Sequence, residues 1–204
     1  MPGRLDHLVV TGETLAAAAA HVEATLGLDM APGGAHAAMG THNRLLSLGA
    51  ADYLEAIAID PGAPAPAWPR WFGLDARPGS PRLAAWALRV TDLDAVLADA
   101  PTGIGAPMAL TRGAYRWRLT VPETGVQPFD GVFPALIEWD GAPPAPALPD
   151  HGARLVSLEL SHPRAGALGW MLSLLLEDDR VVVREGKPKL TAVIHTAAGD
   201  VVLT

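Results

Sequence analysis

The feature of this sequence that most constrains its fold is a pattern that occurs three times. Each copy has a short run of strand-forming residues, a turn, and then an alanine- or leucine-rich stretch with helical periodicity. The three runs are 5–11, 83–91 and 155–160, and the helical stretches that follow them extend to Leu26, over 92–100 and over 165–176. Candidate caps support the helices: Thr11 or Thr14, Thr91 or Asp92, and Gly27. Each copy therefore predicts the beginning of a βα unit.

After each predicted helix the apolar periodicity changes from about 3.6 to about 2, which is typical of strands with one buried face. The predicted strands are 41–48 and 53–59 in the first unit, 106–111, 115–121 and 135–139 in the second, and 180–184, 189–196 and 200–203 in the third. We therefore predict an α+β protein built from repeated βαβββ modules.

Two proline-rich stretches separate the modules. Residues 61–66 and 141–146 contain prolines that neither a helix nor a central strand tolerates. The predicted modules are 1–61, 82–141 and 152–204, within one compact domain. Trp68, Trp71 and Phe72 follow the first joint, so this connector is expected to fold back, either as a pocket wall or simply by packing.

Composition excludes several classes of function. The chain of 204 residues has no cysteine, so any metal must be bound by His, Asp or Glu. A net charge of −7 argues against nucleic acid as the main partner, and a small-molecule ligand is expected instead. No glycine-rich phosphate loop is present, so neither a nucleotide nor a flavin is indicated. No apolar run reaches the roughly 18 residues of a membrane span, and no signal peptide is visible, so a cytoplasmic protein without membrane contact is expected.

A family resemblance rests on the first module. His7 lies in its first predicted strand, Glu55 lies in its last, and the phrase 40–49 precedes Tyr53-Leu54-Glu55. This arrangement resembles the glyoxalase/bleomycin-resistance superfamily, the vicinal-oxygen-chelate fold, and within it the glyoxalase-like domain branch. The resemblance implies paired modules whose curved mixed sheets surround a central cleft, with a metal-binding His on a first strand and a Glu on a last strand.

Strand alternation predicts that His7 and Glu55 both point into the cleft. Aligning Leu93 with Leu15 places Ala85 where His7 stands, so the second module lacks the histidine. It keeps a carboxylate, Glu138, in its closing strand. We therefore predict a metal set, with Glu55 and Glu138 also as catalytic carboxylates, for Mn, Fe, Zn, Ni or Mg: His7, Glu55 and Glu138. The alternative is that these side chains hydrogen-bond each other or a polar ligand without a metal.

Further residues are predicted to bind substrate. His36 or His42 could replace the missing ligand, and His42 and Asn43 alternate, so that only one of them can face the cleft. The full set of predicted substrate-binding residues is His36, His42, Asn43, Trp86, Arg89, Arg118 and Trp139. The competing interpretation is that the arginines lie on a solvated sheet face and the tryptophans pack in the core.

The resemblance implies a metal-dependent lyase, isomerase or dioxygenase that acts on a small oxygen-rich substrate. The alternative is a metal-free protein that binds or sequesters a drug or metabolite. A third hypothesis, a silent partner-binding domain, predicts a filled cleft and an exposed apolar patch. Because modules of this kind often pair across chains, the resemblance also implies a homodimer as one possible assembly.

Overall fold

A computed structural model describes residues 3–76 and 79–204. Its regular elements are β1 (Arg4–Thr11), α1 (Leu15–Leu26), β2 (Ala31–His36), β3 (Thr41–Ser47), β4 (Tyr53–Ile59), β5 (Arg82–Arg89), α2 (Leu93–Leu97), β6 (Ala106–Arg112), β7 (Tyr115–Val121), β8 (Ala135–Trp139), β9 (Arg154–Ser161), α3 (Ala165–Leu175), β10 (Val181–Arg184), β11 (Lys189–Thr196) and β12 (Gly199–Leu203). Within these described ranges, no helix is long and apolar enough to cross a membrane.

The helix ends follow from local chemistry. The Thr14 hydroxyl accepts a hydrogen bond from the Ala17 amide at the start of α1, and Gly27 ends that helix in the left-handed conformation, φ 67°. Asp92 caps α2 in the same way. Helix α2 ends at Leu97, earlier than the predicted Ala100. Because Leu93 is its only buried residue, little apolar packing is available to extend it.

Strand β2 was not predicted. It contains Pro32, Gly33 and Gly34, which indicate a loop in any local interpretation. In the structure it lies at the edge of a sheet and pairs with β3 through a register shift between Pro32 and Ala35. An edge strand tolerates proline because the missing N–H need not face a partner strand.

The first two modules form one continuous sheet of eight strands, in the order β2-β3-β4-β1-β5-β8-β7-β6. The two first strands, β1 and β5, pair antiparallel at its centre, and in each module the first strand pairs parallel with the last. The edge strands β2 and β6 contact each other, so the sheet curls into a cup. The predicted fold, paired βαβββ modules with a curved mixed sheet around a cleft, is confirmed.

The third segment has the same element order but a different pairing. Its strands form a separate sheet in the order β10-β9-β11-β12, so that β9 lies between β10 and β11 rather than beside the last strand. Arg180 attaches this segment to the first module by an ion pair with Asp52, at 2.5 Å, and Asp178 of the same segment holds the Arg180 guanidinium at 2.6 Å. Backbone hydrogen bonds also join Gly3 to the chain around Leu175.

The two faces of the cup carry two apolar clusters. On the outer face, residues such as Leu8, Leu54 and Leu136 pack with α1, α3 and the four-stranded sheet in one core. On the inner face, residues such as Val9 and Ile57 belong to a second cluster. Alternation along each strand produces this division, and it places the candidate site on the inner face.

Candidate functional site

The connector between the first two modules enters the cup and narrows it. Trp71 and Phe72 pack into the inner cluster. Arg70 holds this connector in place: its Nε donates to the Met39 carbonyl at 3.0 Å, and its guanidinium pairs with Asp75 at 2.7 Å. The space that remains is small and open to solvent at its mouth, and it is called the cavity below. The two aromatic residues therefore line a pocket as well as pack in the core.

The first polar group of the cavity lining is His7, which is 4% exposed. Its Nδ1 lies 2.7 Å from Asp6 Oδ1, and Asp6 Oδ2 accepts a hydrogen bond from Trp139 Nε1 at 3.0 Å and pairs with Arg89 Nε at 3.4 Å. Asp6 is the extra residue of a β-bulge, because Leu5 and His7 oppose successive residues of β5. With Nδ1 donating to a carboxylate, the Nε2 of His7 is left as an acceptor.

The second polar group is Glu55, which is 5% exposed. Its Oε1 accepts a hydrogen bond from Asn43 Nδ2, and its Oε2 lies 3.7 Å from His7 Nε2. The Gly34 amide donates to Asn43 Oδ1 at 2.9 Å, which fixes the orientation of the Asn43 side chain. No described residue donates a hydrogen bond to Oε2. One carboxylate oxygen is therefore anchored and the other is left available beside His7.

A second histidine, His36, supports this arrangement from β2. Its Nδ1 lies 3.0 Å from Thr41 Oγ1, and its Nε2 lies 3.3 Å from Asn43 Nδ2. Burial, together with the positive charges of Arg112, His7 and His42, lowers the pKa of His36 to about 3. The ring is therefore neutral near pH 7, and its Nε2 can accept from the Asn43 amide.

Neutral His36 makes stability depend on pH. Its pKa is about 6.5 in an unfolded chain and about 3 here, so the unfolded state binds more protons between these values. We expect the free energy of unfolding to fall as the pH decreases through this window, with a contribution approaching about 1.4 kcal/mol per pH unit. Denaturant unfolding of the wild type and of His36→Gln at several pH values measures it. The variant should lose this slope, whereas His195→Gln, at an exposed position, should keep it; equal slopes in all three proteins would contradict the prediction.

The cavity walls are aromatic. The ring of Tyr53 stacks on His7 with centroids 4.6 Å apart, and burial, with the charges of Asp6 and Glu55, raises the pKa of Tyr53 well above its usual range. Trp117 and Trp139, with centroids 5.3 Å apart, belong to the same lining. Arg112, at the end of β6, adds a guanidinium to the lining. The phenol therefore stays protonated, and Arg112 supplies a positive charge to the lining.

The structure brings only some of the predicted site residues together. His7, His36, Glu55 and Trp139 line the cavity, Asn43 anchors Glu55, and Arg89 reaches it through Asp6. Other predicted residues lie elsewhere. Trp86 is in the outer-face core, where its Nε1 donates to the Val132 carbonyl at 2.9 Å, and Arg118 pairs with Asp94 and Glu138. His42 is absent from the lining because its neighbour Asn43 has the inward position.

Glu138 requires a correction. Its neighbours Ile137 and Trp139 line the cavity, so alternation turns Glu138 to the outer face. There it accepts hydrogen bonds from Arg118 Nε at 2.7 Å and from the Leu93 amide at 3.2 Å. It does not meet His7 and Glu55.

Strand register explains the misplacement. In the first module Glu55 pairs with Val9, and in the second module Ala135 pairs with Ala87. Because α1 begins at Leu15 and α2 at Leu93, Val9 and Ala87 are equivalent positions, and so are their partners. The second-module counterpart of Glu55 is therefore Ala135. The counterpart of His7 is Ala85, so the second module has alanine at both positions.

The residues of the cavity do not fit the predicted three-ligand metal site. Two atoms that could bind a metal ion, His7 Nε2 and Glu55 Oε2, lie 3.7 Å apart. The third predicted ligand, Glu138, is on the other face of the sheet. Across residues 3–76 and 79–204, no group of three or more His, Asp or Glu side chains is arranged to bind a metal ion. The chemistry of the site is therefore derived from its own side chains.

Three functional residues were missed from the sequence. Strict alternation along β1 would place Asp6 on the face opposite His7, and only the bulge brings its carboxylate to His7. Arg112 lies just beyond the predicted strand 106–111, but in the structure it is the last residue of β6. Tyr53 appeared only in the phrase that carries the family resemblance, and it was not among the predicted site residues. The Asp-His dipeptide before an apolar run was the one local signal that could have indicated a histidine oriented by a carboxylate.

Comparison with known proteins places this geometry in context. A family model described as a glyoxalase-like domain matches residues 5–176. A hypothetical protein from Staphylococcus aureus has a similar structure, with a TM-score of 0.65 at 13% identity, over 91% of this chain and 87% of that one. Methylmalonyl-CoA epimerase from Mycobacterium tuberculosis is more distant in structure, with a TM-score of 0.44 at 22% identity, over 71% of this chain and 91% of its own. No curated protein matches the chain.

Proposed function

This chain belongs to the glyoxalase-like domain family of the vicinal-oxygen-chelate superfamily, and on that premise we propose that it is a small-molecule enzyme, an isomerase or lyase that moves a proton at a carbon beside a carbonyl group. One observation carries the proposal. Asp6, His7 and Glu55 form a buried chain of proton-binding groups that ends in two free atoms, Glu55 Oε2 and His7 Nε2, 3.7 Å apart. Two such atoms beside one cavity are suited to take a proton and return it.

The proton transfers balance within these residues. Glu55 Oε2 takes the proton as the C–H bond breaks, and the electron pair moves to the carbonyl oxygen to form an enolate. The protonated carboxyl can pass its proton to His7 Nε2, and the resulting imidazolium is stabilised by Asp6, which lies 2.7 Å from Nδ1. Return of the proton to the enolate restores both groups. A separate donor must stabilise the enolate oxygen, and Arg112 and the Tyr53 hydroxyl belong to the same lining.

Burial supports this chemistry. His7 and Glu55 are each about one-twentieth exposed, so a bound substrate would exclude water from both. In such a site, fixed dipoles act more strongly on developing charge than they do in water. The Asn43 amide and neutral His36 hold the Glu55 carboxylate in place, so little reorganisation is needed when the proton moves.

Hydrogen–deuterium exchange tests the proposal without knowledge of the product. Small 2-oxo acids are incubated in D₂O with chelator-treated protein, and loss of the proton signal at the carbon next to the carbonyl is followed by NMR. We expect protein-dependent exchange in at least one compound. Exchange that appears only after reloading with Mn, Fe, Zn, Ni or Mg would favour the metal-dependent enzyme that the sequence predicts. No exchange under either condition would contradict the proposal.

The aromatic walls favour a second candidate, a metal-free protein that binds a metabolite or drug. Trp71, Trp117 and Trp139 offer large apolar surfaces that would hold a flat ligand with or without chemistry. Binding without exchange in the same experiment distinguishes this candidate from the enzyme.

A further inference from the structure

Arg112 differs from the other arginines near the cavity in its ion pairing. The other arginines near the site are occupied, Arg89 by Asp6 and Arg118 by Glu138. Arg112, by contrast, forms no ion pair with any carboxylate of the described chain. Its guanidinium carbon lies 5.5 Å from the ring centroid of Tyr115. Arginine presents several donors in a planar fork, so an unpaired one in a cavity lining is suited to a carboxylate.

The position of Arg112 is set by the closure of the cup. A Cβ atom at Gly34 of β2 would lie 3.2 Å from the Cγ and Cδ of Arg112. The aliphatic part of the side chain therefore passes close to the opposite edge strand, at a position that has no side chain of its own. The closure of the cup therefore places the Arg112 side chain in the cavity lining.

A second donor lies in the same lining. Trp71 is 2% exposed, and its buried Nε1 has no hydrogen-bond partner within the described structure. Buried indole N–H groups usually have an acceptor, and one without a partner is destabilising. A ligand oxygen would provide that acceptor. The residues of the lining thus include two donors without a hydrogen-bond or ion-pair partner in the described structure, in addition to the two acceptor atoms of His7 and Glu55.

The aromatic walls of the cavity favour a ligand of a particular shape. Trp71 and Phe72 are stacked with centroids 5.4 Å apart, and Trp117 and Trp139 lie 5.3 Å apart. A small cavity between such rings accepts a flat molecule more readily than a bulky one. The carboxylates Asp6 and Glu55 repel an anion, so the negative group of a ligand is directed to Arg112 and its reactive carbon toward Glu55.

From these observations we infer that the cavity binds flat carboxylates, in which an aromatic or conjugated group lies between the tryptophans and the carboxylate is held by Arg112, with Trp71 Nε1 as a second donor. This inference deepens the proposed function and rests on it, because it names the substrate class of the same site. It also assigns Arg112 a role in specificity.

Calorimetric titration with three probes tests the inference: benzoate, its neutral flat analogue benzamide, and the non-planar cyclohexanecarboxylate. We expect benzoate to bind at least about tenfold more tightly than benzamide, the scale of a charge-assisted hydrogen bond. We also expect it to bind more tightly than cyclohexanecarboxylate, because the puckered ring of that anion stacks less well between the tryptophans. Arg112→Gln should weaken benzoate at least about tenfold and leave benzamide unchanged. Arg116→Gln is the matched control, since it removes the same charge from an exposed position on β7 and should bind benzoate as the wild type does.

The outcomes separate the two proposals. Benzoate that fails to bind, binds no better than benzamide, or binds equally to Arg112→Gln overturns the inference. Selective benzoate binding without deuterium exchange in any 2-oxo acid overturns the enzyme but leaves the ligand class standing. Exchange that proceeds equally with anionic 2-oxo acids and with their neutral amides supports the enzyme and overturns the role of Arg112.

Discussion

Replacing Glu55 with glutamine is expected to slow deuterium exchange by about 10²- to 10⁴-fold, the usual contribution of a positioned general base. Glutamine keeps the size of the side chain and can still bond Asn43 through its carbonyl oxygen, but it cannot accept the substrate proton. The variant should therefore fold normally and lose kcat/KM mainly through kcat. Steady-state exchange by NMR, with a thermal unfolding curve for each protein, measures both effects.

The matched control is Glu138→Gln. The sequence predicts the two glutamates as partners in one site, whereas the structure places Glu138 on the outer face with Arg118. Its substitution should leave exchange within about twofold of the wild type, since surface substitutions seldom reach active sites on the other face of a sheet. Equal losses in the two variants would restore the original ligand set, and unchanged exchange in Glu55→Gln would remove Glu55 as the base.

The second large effect concerns stability. Trp86→Ala is expected to reduce the free energy of unfolding by about 3–5 kcal/mol, as large-to-small substitutions of buried aromatic residues do. Trp86 is fully buried in central strand β5, opposite Leu8, so its loss leaves a cavity between the sheet and the outer core. It also leaves the Val132 carbonyl without its donor. Urea unfolding followed by circular dichroism measures the change.

Trp170→Ala provides the comparison for this prediction, because Trp170 is 63% exposed on α3. Its loss should cost no more than about 0.5 kcal/mol. Trp86→Ala should also bind benzoate normally when folded, since Trp86 is outside the cavity. A small stability change in Trp86→Ala combined with lost ligand binding would instead support the role in substrate binding that the sequence predicted.

Much of the fold could be predicted because it depends on local periodicity. The alternation of Leu8 and Val10 with His7 and Val9 assigns two faces to β1 without knowledge of any partner strand, and the caps Thr14, Asp92 and Gly27 depend only on their own helix ends. The family could be recognised for the same reason, since its phrases lie within single strands. Strand β2 was missed because its local signal, Pro32 and two glycines, is that of a loop.

The candidate site depends on both the local sequence and the tertiary structure. The sequence by itself determined which face of β1 and β4 is polar, and so proposed His7 and Glu55 together. Only the tertiary structure decided the rest: the bulge that brings Asp6 to His7, the register that makes Ala135 the counterpart of Glu55, and the closure of the cup that carries Arg112 to the lining. Bulges, register and closure are properties of strand pairs far apart in the chain, so no window of local sequence contains them.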